Sequence, residues 1–247
     1  MSKLLQISCC LALTAFFTSC GGPATLKSPT SLSAGRDAWG HRPGPRGFKT
    51  VIIDAGHGGK DSGATSPHTG QKEKDLTLDM AKRLRGELSG DFRVILMRDD
   101  DTFVDLDERV IRANQYGGIL VSMHFNSGPS SIRGPETYYW RVDSHGLAVR
   151  CQQAMNQVCP VESGNRNLVR RRIRLTRNPE IPCLLLEGGY LSNAAESRLV
   201  ADPGYRQKLA HAIAGAIRTQ AATGDAGTGP LPGPLYEPPS RPTDTRE

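Results

Sequence analysis

The chain has 247 residues, enough for one substantial core, and that length favours one domain over two. Apolar residues at 37% and charged residues at 23% suit a globular protein with some irregular segments. A formal net charge of +6 argues against a strongly cationic partner and suits an anionic polymer such as cell wall, membrane surface or nucleic acid. No block of like charge is long enough to be a nucleic-acid tail, so no nucleic-acid partner is expected.

The chain opens with "MSKLLQISCCLALTAFFTSC": Lys3, then an apolar stretch from about Leu4 to Phe17, which reads as a signal-peptide core too short to span a membrane. The small residues before Cys20 resemble a bacterial lipoprotein cleavage box, with Phe17 where that box usually has an aliphatic residue. The reading is a signal peptide over 1–19, export to the cell envelope, and a membrane anchor through a lipidated Cys20. Residues 20–46 are rich in Gly, Pro and Ser and read as a tether.

Strand and helix signals then alternate. "KTVIID" (49–54) is a short buried strand, and "KDLTLDMAKRLRGEL" places Leu76, Met80, Leu84 and Leu88 on one helical stripe. "FRVILMR" (92–98) is strand-like. "DLDERVIRANQYG" opens with a capping box, Asp105 with Glu108, and closes at Gly117. "GILVSMHFNS" (118–127) is a buried strand, "GPETYYWRV" an aromatic strand and "HGLAVRCQQAMNQV" a helix. "CLLLEGGYLSN" (183–193) is a strand followed by glycines; Asn193 and Glu196 can cap the next helix, and Leu209, Ile213 and Ile217 stripe the last one. Residues 223–247 hold ten Gly or Pro in twenty-five and read as a disordered tail. The pattern predicts a single α/β domain over 47–222, a mixed, mostly parallel sheet with helices on both faces. Ligands in such sheets collect at the carboxyl ends of strands.

Three strands deliver polar residues to that rim: His57 after "VIID", His124 after "ILVSM" and Glu187 after "CLLL". Glu73 lies just before the first helix. Two imidazoles and a carboxylate are a common first shell for catalytic zinc. Hydrolysis also needs a carboxylate that is not a ligand, to take the water's proton and return it to the leaving nitrogen. Spacing leaves Glu73 and Glu187 competing for ligand and base. A phosphate cradle is disfavoured, since no G-K-[ST] or G-x-G-x-x-G pattern comes after the strand. Cys151, Cys159 and Cys183 form no C-x-x-C pair, and Cys151 and Cys159, eight apart on a helix, are about 12 Å apart along its axis, too far for a disulfide.

The segments "VIIDAGHGGKDSGA", "EKDLTLDMAKRL", "RVILMRDDDTFVDLDERVIRAN", "LVSMHFNS", "GPETYY" and "PCLLLEGGYLSN" resemble, in order, those of zinc-dependent N-acetylmuramoyl-L-alanine amidases of the amidase 3 type, over about residues 49 to 220. The resemblance implies one zinc ion per chain on His57, Glu73 and His124, with Glu187 as general base. The implied reaction is hydrolysis of the amide between the lactyl group of N-acetylmuramic acid and L-alanine, with peptidoglycan as partner and substrate. Some members carry an inserted helix that blocks the zinc; here only about 25 residues separate Trp140 from Arg166, which implies an open site and no activator protein. The chain is expected to act as a monomer.

Weaker candidates surround this set. Asp54 is placed to orient His57 or to end its strand, and Asn126 to bind substrate or cap a loop. Six arginines fall between Arg166 and Arg177; extended geometry would put Arg170, Arg172 and Arg174 on one face and Arg171 and Arg177 on the other. An anionic stem peptide offers carboxylates to bind, and the resembling family keeps an arginine where Arg177 stands. His41, His68, His145 and His211 are expected on the surface, His68 being close in sequence to Glu73. The competing readings are a zinc peptidase cutting within the stem peptide and a catalytically dead wall-binding lipoprotein, the latter disfavoured by the presence of all four motif residues.

Overall fold

A computed structural model describes residues 42–159 and 168–233. The expected signal peptide, Cys20, His41 and most of the tether lie outside the described residues, as do residues 234–247. Six strands form one sheet in the order β2-β1-β3-β6-β4-β5: β1 (Thr50–Ala55), β2 (Arg93–Leu96), β3 (Ile119–Asn126), β4 (Glu136–Tyr139), β5 (Leu168–Arg170) and β6 (Cys183–Tyr190). The strands β2, β1, β3 and β6 are mutually parallel; β4 runs antiparallel to β6, and β5 parallel to β4. The expected mixed, mostly parallel sheet is what forms. Its central strands are apolar on both faces, as strands covered on both sides must be.

Alternation along the strands divides the core. Val51, Ile53, Val121, Leu184 and Leu186 face the larger cluster, against α1 (Glu73–Leu88), α3 (His145–Val158), α5 (Ala194–Ala201) and α6 (Pro203–Thr223). The predicted stripes Leu76, Met80, Leu84, Leu88 and Leu209, Ile213, Ile217 are all buried there. Ile52, Leu120 and Cys183 face the other way, joining Met97 and Ala113 of α2 (Leu106–Tyr116) in a much smaller cluster. Further along that thinly covered face, the register rows become Asp54 beside Ser122, then His124 beside Glu187.

Two buried guanidiniums shape the turn after β1. Arg98 donates to the carbonyls of Ala55 (2.9 Å), Gly56 (2.8 Å) and Lys74 (2.8 Å). Arg109 of α2 donates to the carbonyls of Ala55 (3.0 Å) and His57 (2.8 Å) and pairs with Asp54, which also accepts from Ser122 Oγ (2.7 Å). These two side chains are only 4% and 3% exposed. Together they hold His57 at φ 61°, the one positive φ on a non-glycine among the described residues.

Several local expectations change. Asp105 caps α2 by accepting from Asp107 N (2.8 Å), but Glu108 pairs with Arg112 and leaves the capping box half formed. Asn193 caps α5 as expected, whereas Glu196 turns inward to accept from Gly134 N (2.7 Å) and Tyr190 N (2.8 Å). The arginine-rich segment is not continuously extended: β5 stops at Arg170, and α4 (Arg174–Arg177) comes next. Packing passes the expected domain limits at both ends, since Gly44 N donates to Asp225 (2.6 Å) and Arg150 to the carbonyl of Gly224 (3.1 Å). Cys151 and Cys183 are buried free thiols, and burial pushes the Cys151 thiol up to about 12.

Replacing Arg109 by Ala would leave Asp54 buried without its cation. The expected outcome is a loss of about 3–5 kcal/mol in unfolding free energy, read as a lower urea midpoint with unchanged slope. A midpoint equal to the parent's would show that the clamp does not hold the turn.

Candidate metal centre

Glu73 is the first residue of α1 and is buried, so its carboxylate sits at the positive end of the helix dipole. Its Oε1 lies 3.0 Å from His57 Nε2 and 3.0 Å from His124 Nδ1 and accepts from Phe125 N (3.2 Å), while Oε2 accepts from Ala64 N (2.9 Å). One ligand atom from each of His57, Glu73 and His124 can be chosen so that all lie within 4.8 Å of one another, a group that could hold a metal ion. It is the one such group of three or more among the described residues. The two imidazoles meet edge to face, with ring centroids 5.0 Å apart.

Electrostatics support a cation at this point. Burial alone would raise the Glu73 carboxyl, yet hydrogen bonds to His124 and His57 hold it far below the usual carboxylate range. Burial lowers His57, but Glu73 and Asp61 outweigh it and raise the imidazole to about 9. The arrangement favours positive charge beside Glu73, which here only the imidazoles can supply. His124 Nε2 is buried with no hydrogen-bond partner, a polar atom left over in a set of donors suited to zinc.

Glycine leaves room for this set. A Cβ on Gly56 would lie 2.3–2.7 Å from the His124 ring, and one on Gly63 2.6 Å from both Glu73 Oε2 and His57. In the run "DAGHGG", Gly56 thus lacks a side chain where an imidazole from β3 packs against its backbone, while Gly58 and Gly59 lie against the Thr102 carbonyl and Phe103.

Glu187 stands on β6 between two neighbours in register, His124 of β3 and Glu136 of β4, so all three side chains share the thinly covered face. His57, Glu73, His124 and Glu187 line one cleft of about 430 Å³, with Asp61, Asn126, Tyr138, Arg171 and Leu185. The four principal residues read from the sequence are thus brought together. Asn126 also lines the cleft; its Nδ2 donates to Glu136 (3.1 Å) and to Tyr190 Oη (3.2 Å). Asp54 does not orient His57: it is paired with Arg109 and Ser122, and Asp61 accepts from His57 Nδ1 instead (2.8 Å). Arg177 lines a separate cleft with Arg42, Trp140, Arg141 and Arg170, while Arg171 faces the site. His68 reaches Ser192 O (3.2 Å), away from the cluster; His211 is exposed; His145 is half-buried against Tyr139 rather than on the surface.

Four residues were missed by reasoning from sequence. Asp61 was legible in "HGGKD", four residues after the histidine that it orients. Glu136, buried and accepting from Tyr138 Oη (2.6 Å), was legible only as an acid inside an aromatic strand. Arg98 and Arg109 carry no local signal, since the carbonyls that they hold in the turn after β1 lie more than forty residues away.

A family model described as N-acetylmuramoyl-L-alanine amidase matches residues 51–219. The Staphylococcus saprophyticus protein named "Probable cell wall amidase LytH" is 33% identical over 172 residues, 69% of this chain and 57% of that relative, so the match spans little more than half the relative's length. The solved N-acetylmuramoyl-L-alanine amidase of Clostridium difficile 630 is 32% identical with a TM-score of 0.66, covering 70% of this chain and 97% of that one. The catalytic domain of CwlV, an amidase of the same description from Bacillus (Paenibacillus) polymyxa, is 35% identical with a TM-score of 0.64 and the same two coverages. By these matches, and by a sheet and side-chain cluster that follow the same motifs, the chain belongs to the N-acetylmuramoyl-L-alanine amidase family.

Proposed function

We propose that this chain is a peptidoglycan hydrolase that cleaves the amide between the lactyl group of N-acetylmuramic acid and the L-alanine of the stem peptide. The observation that carries the reading is the meeting of His57, Glu73, His124 and Glu187 in one cleft. His57, Glu73 and His124 would hold one zinc ion per chain, and the unpartnered His124 Nε2 and the charge imbalance at Glu73 support that fit. Bound there, zinc supplies Lewis acidity towards a carbonyl oxygen and a water molecule.

The chain's own groups do the rest. Asp61 accepts the Nδ1 proton of His57 and so orients the ring with Nε2 towards Glu73, the nitrogen that would be free to bind the metal. Glu187 takes a proton from the attacking water as the new C–O bond forms at the lactyl carbonyl. It then returns that proton to the alanine nitrogen as the C–N bond breaks, yielding a carboxylic acid and a free amine. Glu136, Tyr138 and Asn126 form a hydrogen-bonded wall beside Glu187 that keeps the cleft in shape.

The sequence also supports export and anchoring through a lipidated Cys20 at the cell envelope, with the enzyme acting as a monomer. Helix α3 packs against α6 and β4 and lends no residue to the cleft, which supports an active site independent of an activator protein.

Replacing Glu187 by Gln should lower release of stem peptides from purified peptidoglycan by about 10²–10⁴-fold while zinc content stays at one per chain. Chelation should abolish activity in the parent and zinc should restore it; an active variant, or a parent indifferent to chelator, would remove the mechanism. Adding candidate activator proteins should leave the rate unchanged, whereas strong activation would contradict the open site. In cells fed a clickable fatty acid, the parent should take up label and Cys20→Ala should not; equal labelling of both would place the lipid elsewhere.

A further inference from the structure

The cleft holds a cation that the proposed chemistry does not use. In the stretch after β4, most arginines are engaged. Arg170 donates to the carbonyls of Trp140 (3.0 Å) and Gly233 (2.7 Å), Arg174 pairs with Asp107, and Arg177 donates to Asn178 Oδ1 (2.8 Å) in the neighbouring cleft. Arg172 stacks over the Trp140 ring at 5.3 Å. Arg171 differs: it is exposed, its side chain has no hydrogen bond or ion pair among the described residues, and it lines the same cleft as Glu187.

Its place is set by the backbone. Arg171 N donates to Tyr139 O (2.8 Å), which fixes the residue at the end of β5, beside β4. Glu136, the register partner of Glu187, lies three residues before Tyr139 on β4, roughly 10 Å along the strand. Leu185 and Tyr138 floor the cleft between the two. Arg171 and Glu187 both line that cleft, one towards each end of this floor. A peptide whose first amide lies at Glu187 would therefore carry its next residues over Leu185 and Tyr138 towards Arg171.

We propose that Arg171 binds a free carboxylate of the stem peptide, and so sets both the direction in which the peptide lies and a preference for acidic over amidated stems. This rests on the amidase reading above. A guanidinium meets a carboxylate through two parallel N–H donors, a geometry that a carboxamide cannot match in charge. The interaction is made equally in the bound substrate and the transition state, so its loss appears in KM rather than kcat.

The test uses the purified protein and two soluble N-acetylmuramoyl peptides that differ only in one stem carboxylate, free in one and amidated in the other. The parent should favour the acid by about tenfold in kcat/KM. In Arg171→Gln that preference should vanish through a higher KM on the acid, with the amide cleaved as before, and Arg171→Lys should recover part of it. Cleavage of the amidated substrate serves as the folding control within the same assay. Equal losses on both substrates, or an undiminished preference in Arg171→Gln, would overturn the assignment. A parent that cleaves neither substrate would overturn the amidase reading, and this assignment with it.

Discussion

The candidate centre depends on how the chain is held for three residues after β1. Carbonyls 55 to 57 lie where neither the sheet nor a helix can satisfy them all, and His57 adopts a left-handed backbone that a non-glycine residue avoids. Arg98 and Arg109 solve both problems by donating into the turn from the two sides. Burying two like charges so close together has a cost: burial, reinforced by the neighbouring Arg109, lowers the Arg98 guanidinium. Asp54 offsets that cost from within β1. The ion pair thus serves geometry first: it holds the backbone from which His57, oriented by Asp61, reaches Glu73.

The rest of the site is a product of strand periodicity. Once Ile52, Leu120 and Cys183 face the small cluster, the later members of the same rows, Asp54, Ser122, His124, Leu185 and Glu187, stand together further along that face, and all but Leu185 are polar. Glu73 arrives from the other direction, across the start of α1, and its four contacts join the turn after β1, the loop before α1 and the end of β3. Glu187 and Glu136 then stand side by side, one open to the cleft and one fixed by Tyr138 and Asn126. Two carboxylates so placed raise the neighbouring Tyr138 hydroxyl, already raised by burial, and keep that tyrosine a proton donor.

Much of this was legible in the residues. The sheet, the helical stripes and the four principal side chains declare themselves because each rests on a pattern local in sequence: apolar alternation, i+4 spacing, a polar residue at a strand end. The parts that were not legible depend on contacts that periodicity does not encode. Asp54 reads as the natural partner of His57, yet its side chain points to the α2 face and is taken by an arginine fifty-five residues on. The segment 168–177 reads as one extended strand because its arginines alternate with Ile and Leu, but a sheet edge and a single helical turn divide it, so that Arg171 and not Arg177 lines the cleft with Glu187.

The packing of the chain's two flanks has an architectural consequence. Gly44 and Gly47 bond to Asp225 and Ala221, and Gly233 is held by Arg170, all beside the segment that comes after β4. Because β4 runs against β6, that corner lies at the end of the sheet where β6 begins, while Glu187 and its companions gather towards the end where β1 and β3 finish. The first and last described stretches of the chain are thus tied into the same domain that carries the cleft, each by hydrogen bonds to residues far away in sequence.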